Sequence, residues 1–170
     1  MKPRPIAISF LFLIAIALSL LIYVTGKRIK QKYSFISDLP ELSGLTISGD
    51  SLIFKEVIDT TKRTSILFFG PDCEFCRKEI EGIIERNGEC RDVQWIFITI
   101  AQPEELELFL NEYPIESIPD AFLLREDFPE MHIRFDVSAP PALFIYDEHG
   151  NLMKMHRGAT SIKTIVAELK

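Results

Sequence analysis

An α/β domain behind one apolar N-terminal helix is the architecture this sequence predicts, and three observations predict it. Residues Ile6 to Val24 run 19 positions without a charge; about 20 apolar residues in a helix cross a bilayer. After them, extended apolar runs alternate with runs of helical period, in the order strand–helix–strand–helix and then hairpin–helix, the order of one sheet covered by helices. Val93-Gln-Trp-Ile-Phe-Ile-Thr-Ile100 is almost wholly apolar, as a parallel strand buried on both faces requires. With 170 residues, the chain has room for one domain of about 130 residues plus the apolar segment.

In the apolar segment only Ser9, Ser19 and Tyr23 have polar character. A cleaved signal peptide needs a shorter apolar core and a small-x-small site. Ile22-Tyr-Val-Thr-Gly26 is a poor site, so an uncleaved signal anchor is expected. No cysteine follows closely enough to carry a lipid. Lys27 to Ser34 reads as a polar tether, so residues 1–32 form the anchor and tether and 33–170 the domain. Lys2 and Arg4 precede the span and Lys27, Arg28, Lys30 and Lys32 follow it. By the positive-inside rule that excess alone places the domain on the inner side.

Leu42-x-x-Leu45-x-Ile47 and Leu52-Ile-Phe54 flank Ser48-Gly-Asp-Ser51, a hairpin pattern with turn residues in its gap. Val57 and Ile58 open one helical turn. Residues 64–69 form a buried strand, broken by Gly70 and Pro71. A helix over about 74–87 ends at Asn87-Gly88. The 93–100 strand follows, then a helix opened by Pro103-Glu-Glu105, with Leu106, Phe109 and Leu110 inward. Ala121–Leu124 gives a short strand and Phe128–Ile133 a helical turn. Ala142–Tyr146 and Leu152–His156 pair as a hairpin around Gly150. Thr160 or Ser161 caps a last helix with Ile162, Ile165, Val166 and Leu169 on one stripe.

The formal charge of the chain is −6, yet the first 32 residues hold six basic residues and no acid, so the remainder carries −12. A domain that acidic lacks the basic footprint of a nucleic-acid binder. The chemistry-bearing motif is Cys73-Glu-Phe-Cys76. It stands where a strand hands over to a helix, with Cys73 at the helix start and Cys76 one turn in. Unpaired N–H groups and a partial positive charge at a helix N-terminus favour a thiolate. Cys73 is therefore the expected nucleophile and Cys76 the resolving thiol, and their i,i+3 spacing lets the sulfurs close a ring. Asp72 and Glu74 oppose thiolate formation, while Arg77 and Lys78 favour it. Two other uses of the pair stand beside redox chemistry: a zinc half-site and an inert structural disulfide. Zinc needs four ligands, and Cys90, His132, His149 and His156 show no paired spacing. Cys90 reads as a small buried thiol, with a mixed disulfide to another molecule as its alternative. Phe69 and Trp95 read as core; Phe75 is the aromatic to watch as a substrate contact.

Strand, turn, Cys-x-x-Cys and helix together resemble the thioredoxin superfamily, and Cys73-Glu-Phe-Cys76-Arg-Lys-Glu79 is similar to the TlpA/ResA-like membrane-anchored thiol–disulfide oxidoreductases. The similarity covers roughly residues 36–170, most strongly 64–80 and 137–160. The residue before the first cysteine, usually Trp in that family, is Asp72. The resemblance implies a thioredoxin-like fold with an N-terminal β-hairpin and a central insert at about 101–135, behind one transmembrane helix. It implies a redox-active Cys73–Cys76 disulfide, a cis-proline at Pro141 with substrate pairing along Ala139, Pro140 and Pro141, and a Glu79 that lines the cavity and influences the cysteines. Glu79 also reads as an ordinary solvated helix residue. The expected function is exchange of dithiol for disulfide with protein substrates, as a reductant fed by a membrane electron donor. No cofactor or metal is expected. The resemblance places the domain outside the cytoplasmic membrane, single-pass and extracytoplasmic, against the positive-inside count. A redox-inactive or stress-sensing thioredoxin-like binding module is the alternative.

Overall fold

The computed structural model describes the backbone of residues 5–41, 43–53 and 58–169, and within the N-terminal helix the side chains at 11–27 and 34–37. Leu42, Phe54 and Val57 of the expected hairpin and helical turn lie outside the described residues. The chain divides into a unit ending at Phe35 and a second unit of residues 36–170.

Helix α1 runs Pro5–Ser37. The 27–34 stretch, read as a polar tether, is helical. It contains neither Gly nor Pro, Gly26 standing just before it, and its Lys, Arg and Gln residues are good helix formers. Among the described residues no helix is long and apolar enough to cross a membrane. The side chains described at 11–27 are exposed.

In the second unit, β1 (Ser43–Leu45) and β2 (Ser51–Ile53) form the expected hairpin, closed around Gly49 at φ 87°. Then come β3 (Arg63–Phe68), α2 (Glu74–Glu85), β4 (Val93–Thr99), α3 (Pro103–Glu112), β5 (Ala121–Arg125), α4 (Glu130–Arg134), β6 (Ala142–Tyr146), β7 (Leu152–Arg157) and α5 (Ile162–Leu169). The strands make one sheet in the order β2-β1-β5-β4-β3-β6-β7. β3, β4 and β5 are parallel; β6 and β7 close one side antiparallel, and β1 meets β5 antiparallel at Leu45↔Arg125. Helix α2 stops at Glu85, two residues short of expectation, because a 3-10 turn takes over at Asn87–Glu89.

Alternation along the central strands sends side chains to two cores. On one face Leu67, Phe69, Trp95, Phe97, Leu143 and Ile145 pack with Cys76 and Ile80 of α2, Leu106 and Phe109 of α3, and Ile165 and Leu169 of α5. The opposite face holds Phe68, Phe135 and Phe144, with ring centroids 4.9–5.8 Å apart. Ser161 Oγ accepts from Thr164 N–H at 3.2 Å and caps α5, as expected. Tyr146 Oη donates to Ile36 O at 3.1 Å, tying the start of this unit to the end of β6.

Candidate active site

β3 ends at Phe68, and the chain reverses through Gly70, Pro71 and Asp72 into α2. Gly70 leaves room for Asp72 in this turn: a Cβ there would stand 3.0 Å from Asp72 Oδ1, which would have to shift. Arg77, one turn into α2, reaches back and donates from Nε to Pro71 O at 2.7 Å, clamping the turn from behind. No sequence signal pointed to that clamp.

Cys73 is the N-cap of α2 and Cys76 lies in its first turn; the two are joined as a disulfide, with Cα atoms 5.2 Å apart. Cys73 Sγ accepts from Cys76 N–H at 3.2 Å. A sulfur thus occupies the place of a capping oxygen, where the helix N-terminus favours negative charge. The sulfurs are unequal. Cys73 is partly exposed, whereas Cys76 is 0% exposed and belongs to the core. Only Cys73 is open to an attacking or attacked partner. Of the flanking charges, Glu74 is engaged by Lys78 Nζ at 2.6 Å, which holds its carboxyl below the usual range.

The second wall is the loop between α4 and β6. The Pro140–Pro141 bond is cis, as the resemblance implied. Pro140 O lies 3.8 Å from Cys73 Sγ. Pro141 is buried, and Ala139 and Pro140 are exposed beside it. The loop is held from β7: Arg157 donates to Phe135 O at 3.0 Å and to Asp136 O, and Gly158 N–H donates to Pro141 O at 2.8 Å. Buried Glu126 secures α4 before the loop, accepting from Met131 N–H and meeting His132 Nδ1, both at 2.6 Å. Sequence reasoning missed this pair, because its partners come from a strand end and a helix six residues apart with no periodic pattern linking them.

Glu79 lies three residues beyond Cys76 on α2 and is 4% exposed, which excludes the solvated-surface reading. Its Oε2 accepts from Thr160 N–H at 3.3 Å, while Oε1 is buried with no hydrogen-bond partner among the described residues. Burial pushes its pKa up to about 7, against the smaller opposing pull of the Thr160 N–H and of His156. His156 Nε2 meets Glu168 Oε2 at 2.6 Å. At neutral pH this carboxyl holds a proton part of the time, the condition for a group that gives and takes protons.

Phe75 is 60% exposed on the open side of α2, unlike Phe69 and Trp95, which are core. Cys90 is buried after the 3-10 turn and outside the disulfide. Among the described residues no group of His, Cys, Asp and Glu is arranged to hold a metal ion.

No protein-family model matches the chain, and no curated protein matches it. Solved structures do. dsbF of Mycobacterium tuberculosis is 21% identical with a TM-score of 0.65, over 76% of this chain and 92% of that one. A secreted disulfide oxidoreductase of the same organism, homologous to E. coli DsbE, is 18% identical with a TM-score of 0.65, over 76% and 94%. A thioredoxin-family thiol:disulfide interchange protein of Chlorobium tepidum is 19% identical with a TM-score of 0.63, over 78% and 93%. The fold of this chain is therefore thioredoxin-like.

Proposed function

We propose that the chain is a membrane-anchored thiol–disulfide oxidoreductase that reduces disulfides of extracytoplasmic proteins. The observation that carries this reading is the inequality of the two cysteines at the start of α2: Cys73 capping the helix and partly exposed, Cys76 buried behind it. The similar structures, described as disulfide oxidoreductase or thiol:disulfide interchange proteins, support it.

In the reducing direction the Cys73 thiolate attacks one sulfur of a substrate disulfide. A mixed disulfide forms and the other substrate sulfur leaves as a thiolate. The Cys76 thiolate then attacks Cys73 Sγ, releasing the second substrate thiolate and closing the Cys73–Cys76 disulfide. Two electrons pass to the substrate, and the protons shed by Cys73 and Cys76 end on its two thiols. Glu79, on the face of α2 that carries Cys76, is placed to take the Cys76 proton and pass it on. Extended substrate would lie along Ala139, Pro140 and Pro141, with Phe75 at its flank. A dithiol protein in the membrane would restore the pair to the reduced state.

Anchoring rests on the uncharged stretch 6–24. In it, Leu11, Phe12, Leu13, Ile14, Ile16, Leu18, Leu20, Leu21 and Ile22 present apolar side chains around the helix, as a lipid-facing helix does. The test uses the full chain in nonionic detergent with a protein disulfide and a dithiol reductant. Wild type should turn over the substrate, Cys73→Ser should neither turn over nor trap it, and Cys76→Ser should accumulate the mixed disulfide. No turnover by wild type returns the chain to the binding-module alternative; trapping by Cys73→Ser reverses the roles.

A further inference from the structure

Beside the cysteines opens a groove of about 470 Å³, running from the Gly70–Asp72 turn to α3. Two of its lining side chains are apolar and open to solvent: Ile100, just past β4, is 49% exposed and Leu108 of α3 is 74% exposed. Its charged rim is unbalanced, with Asp72, Glu105 and Glu112 against Arg77 alone. Arg77 is turned toward the backbone, its Nε donating to Pro71 O. Glu105 is fixed by accepting from Gln102 N–H at 3.3 Å at the start of α3.

We propose that this groove is the docking site for the polypeptide flanking the substrate cysteine, and that it selects segments pairing an apolar side chain with lysine or arginine. This rests on the exchange reading above. The groove begins at the residue before Cys73, so a chain whose sulfur reaches Cys73 Sγ lays its neighbours into it, at about 3.3 Å of extended chain per residue. A leucine-sized side chain covers Ile100 and Leu108 and removes their apolar surface from water. A cation set beside that side chain meets the rim carboxylates, and an anion there meets like charge next to a low-dielectric wall. Fields of this kind act chiefly on the rate of encounter. The domain's wider acidity adds a diffuse attraction for basic partners; the groove turns it into a preference tied to position next to the cysteine.

The experiment is single-turnover oxidation of pre-reduced full chain in nonionic detergent by peptides of one length. Each peptide holds one cysteine capped as a mixed disulfide with 2-mercaptoethanol and flanked by Leu-Lys, Leu-Glu or Ser-Ser. At about 0.01 M salt, the Leu-Lys peptide should react on the order of 10-fold faster than the Leu-Glu peptide. At about 1 M salt, where the screening length falls from about 30 to about 3 Å, the ratio should shrink to about 2-fold. In Glu105→Gln/Glu112→Gln, where glutamine keeps the acceptor for Gln102 N–H, the low-salt ratio should fall below about 3-fold. Glu116→Gln/Glu148→Gln, which removes two exposed acids elsewhere, should keep the wild-type ratio. Leu108→Ser should slow both leucine peptides relative to Ser-Ser. Equal wild-type rates, a ratio unchanged by the groove pair, or a ratio lost equally with the distant pair would each overturn the proposal. Wild-type exchange with the small neutral bis(2-hydroxyethyl) disulfide separates the two ideas. If that exchange occurs without discrimination among peptides, only the groove proposal fails; if it is absent, the exchange reading fails and takes the groove with it.

Discussion

Replacing Glu79 by glutamine is the sharpest single perturbation, because it keeps the shape of the side chain and removes its proton. Burial raises the Glu79 pKa from 4.5 to about 7. Between those pH values the folded domain holds a proton that an unfolded glutamate has lost, so the unfolded state binds fewer protons and stability falls as pH rises. The loss begins near pH 4.5 and levels off above about pH 7, the window set by the two pKa values. At about 1.36 kcal/mol per pKa unit, the full interval amounts to about 3 kcal/mol. Urea unfolding of residues 36–170 in the disulfide form measures it. About 2.5 kcal/mol of this falls between pH 5 and pH 8, so with a slope of about 2 kcal/mol/M the wild-type midpoint should lie about 1.2 M lower at pH 8 than at pH 5 from this group. Glu79→Gln should lose most of that pH dependence and exceed wild type in stability at pH 8, while staying near it at pH 5. In the reduced protein the same change removes a carboxylate from the face of Cys76. Thiol alkylation followed from about pH 4 to 10, bracketing the free thiol pKa of about 8.5, should then shift to lower pH. Equal urea slopes against pH in the two proteins would mean that Glu79 titrates as it does in the unfolded chain, and superimposable alkylation curves would remove it from the cysteines' environment.

Two further outcomes follow from the proposed anchoring and from the packing of α2. Gly82→Ala should destabilise the domain by about 1 kcal/mol, although helix propensity alone predicts a gain of similar size. The new Cβ would stand 3.0 Å from Ile162 Cβ, an atom fixed to the first turn of α5, and urea unfolding gives the sign; a stabilised variant would show that α5 yields freely. A reporter fused after Lys170 and active only outside the cytoplasm should be active; activity of a cytoplasm-only reporter instead would mean that the Lys27–Lys32 cluster sets the orientation.

The elements were legible where one periodicity ruled without competition. β4 is continuous and apolar because both its faces are covered, and α5 shows its stripe because only one side of it meets the sheet. The Cys73–Cys76 pair was legible as a candidate site because the strand, the Gly-Pro break and the helix all bear on one short stretch. What stayed hidden depends on contacts between distant segments. Glu79 could also be read as a surface glutamate, and its burial shows only where Thr160, 81 residues on, donates to it. The Arg157 bonds that hold the loop before Pro141 cross 21 and 22 residues, and an arginine at a strand end carries no mark of its acceptors. The hairpin was expected, but its place on β5 at the edge of the sheet was not, since Leu45↔Arg125 leaves no trace in either local pattern. The helical backbone of the 27–34 tether was not foreseen, because the stretch was read for its polarity alone, although Lys, Arg and Gln are good helix formers.

The geometry separates the two halves of the proposed exchange by where their controlling charges lie. The first attack takes place at Cys73, which is partly exposed and flanked by a rim of carboxylates open to water. Charges in water are screened, so this step should respond strongly to salt and to substrate charge. The second attack comes from Cys76, wholly buried, with a carboxyl of raised pKa on its own helical face. Salt reaches such a site weakly, so this step should respond to pH through Glu79 instead. A mixed disulfide formed on wild-type protein by rapid mixing can be followed through formation and through decay. Formation should depend on ionic strength with little pH dependence near neutrality beyond that of the Cys73 thiolate. Decay should rise with pH through about 7 and depend little on salt. In Glu79→Gln the decay should lose that rise while formation keeps its salt dependence. If both steps respond alike to salt and to pH, the buried carboxyl and the open rim are not acting on different sulfurs, and the division of roles between Cys73 and Cys76 falls with them.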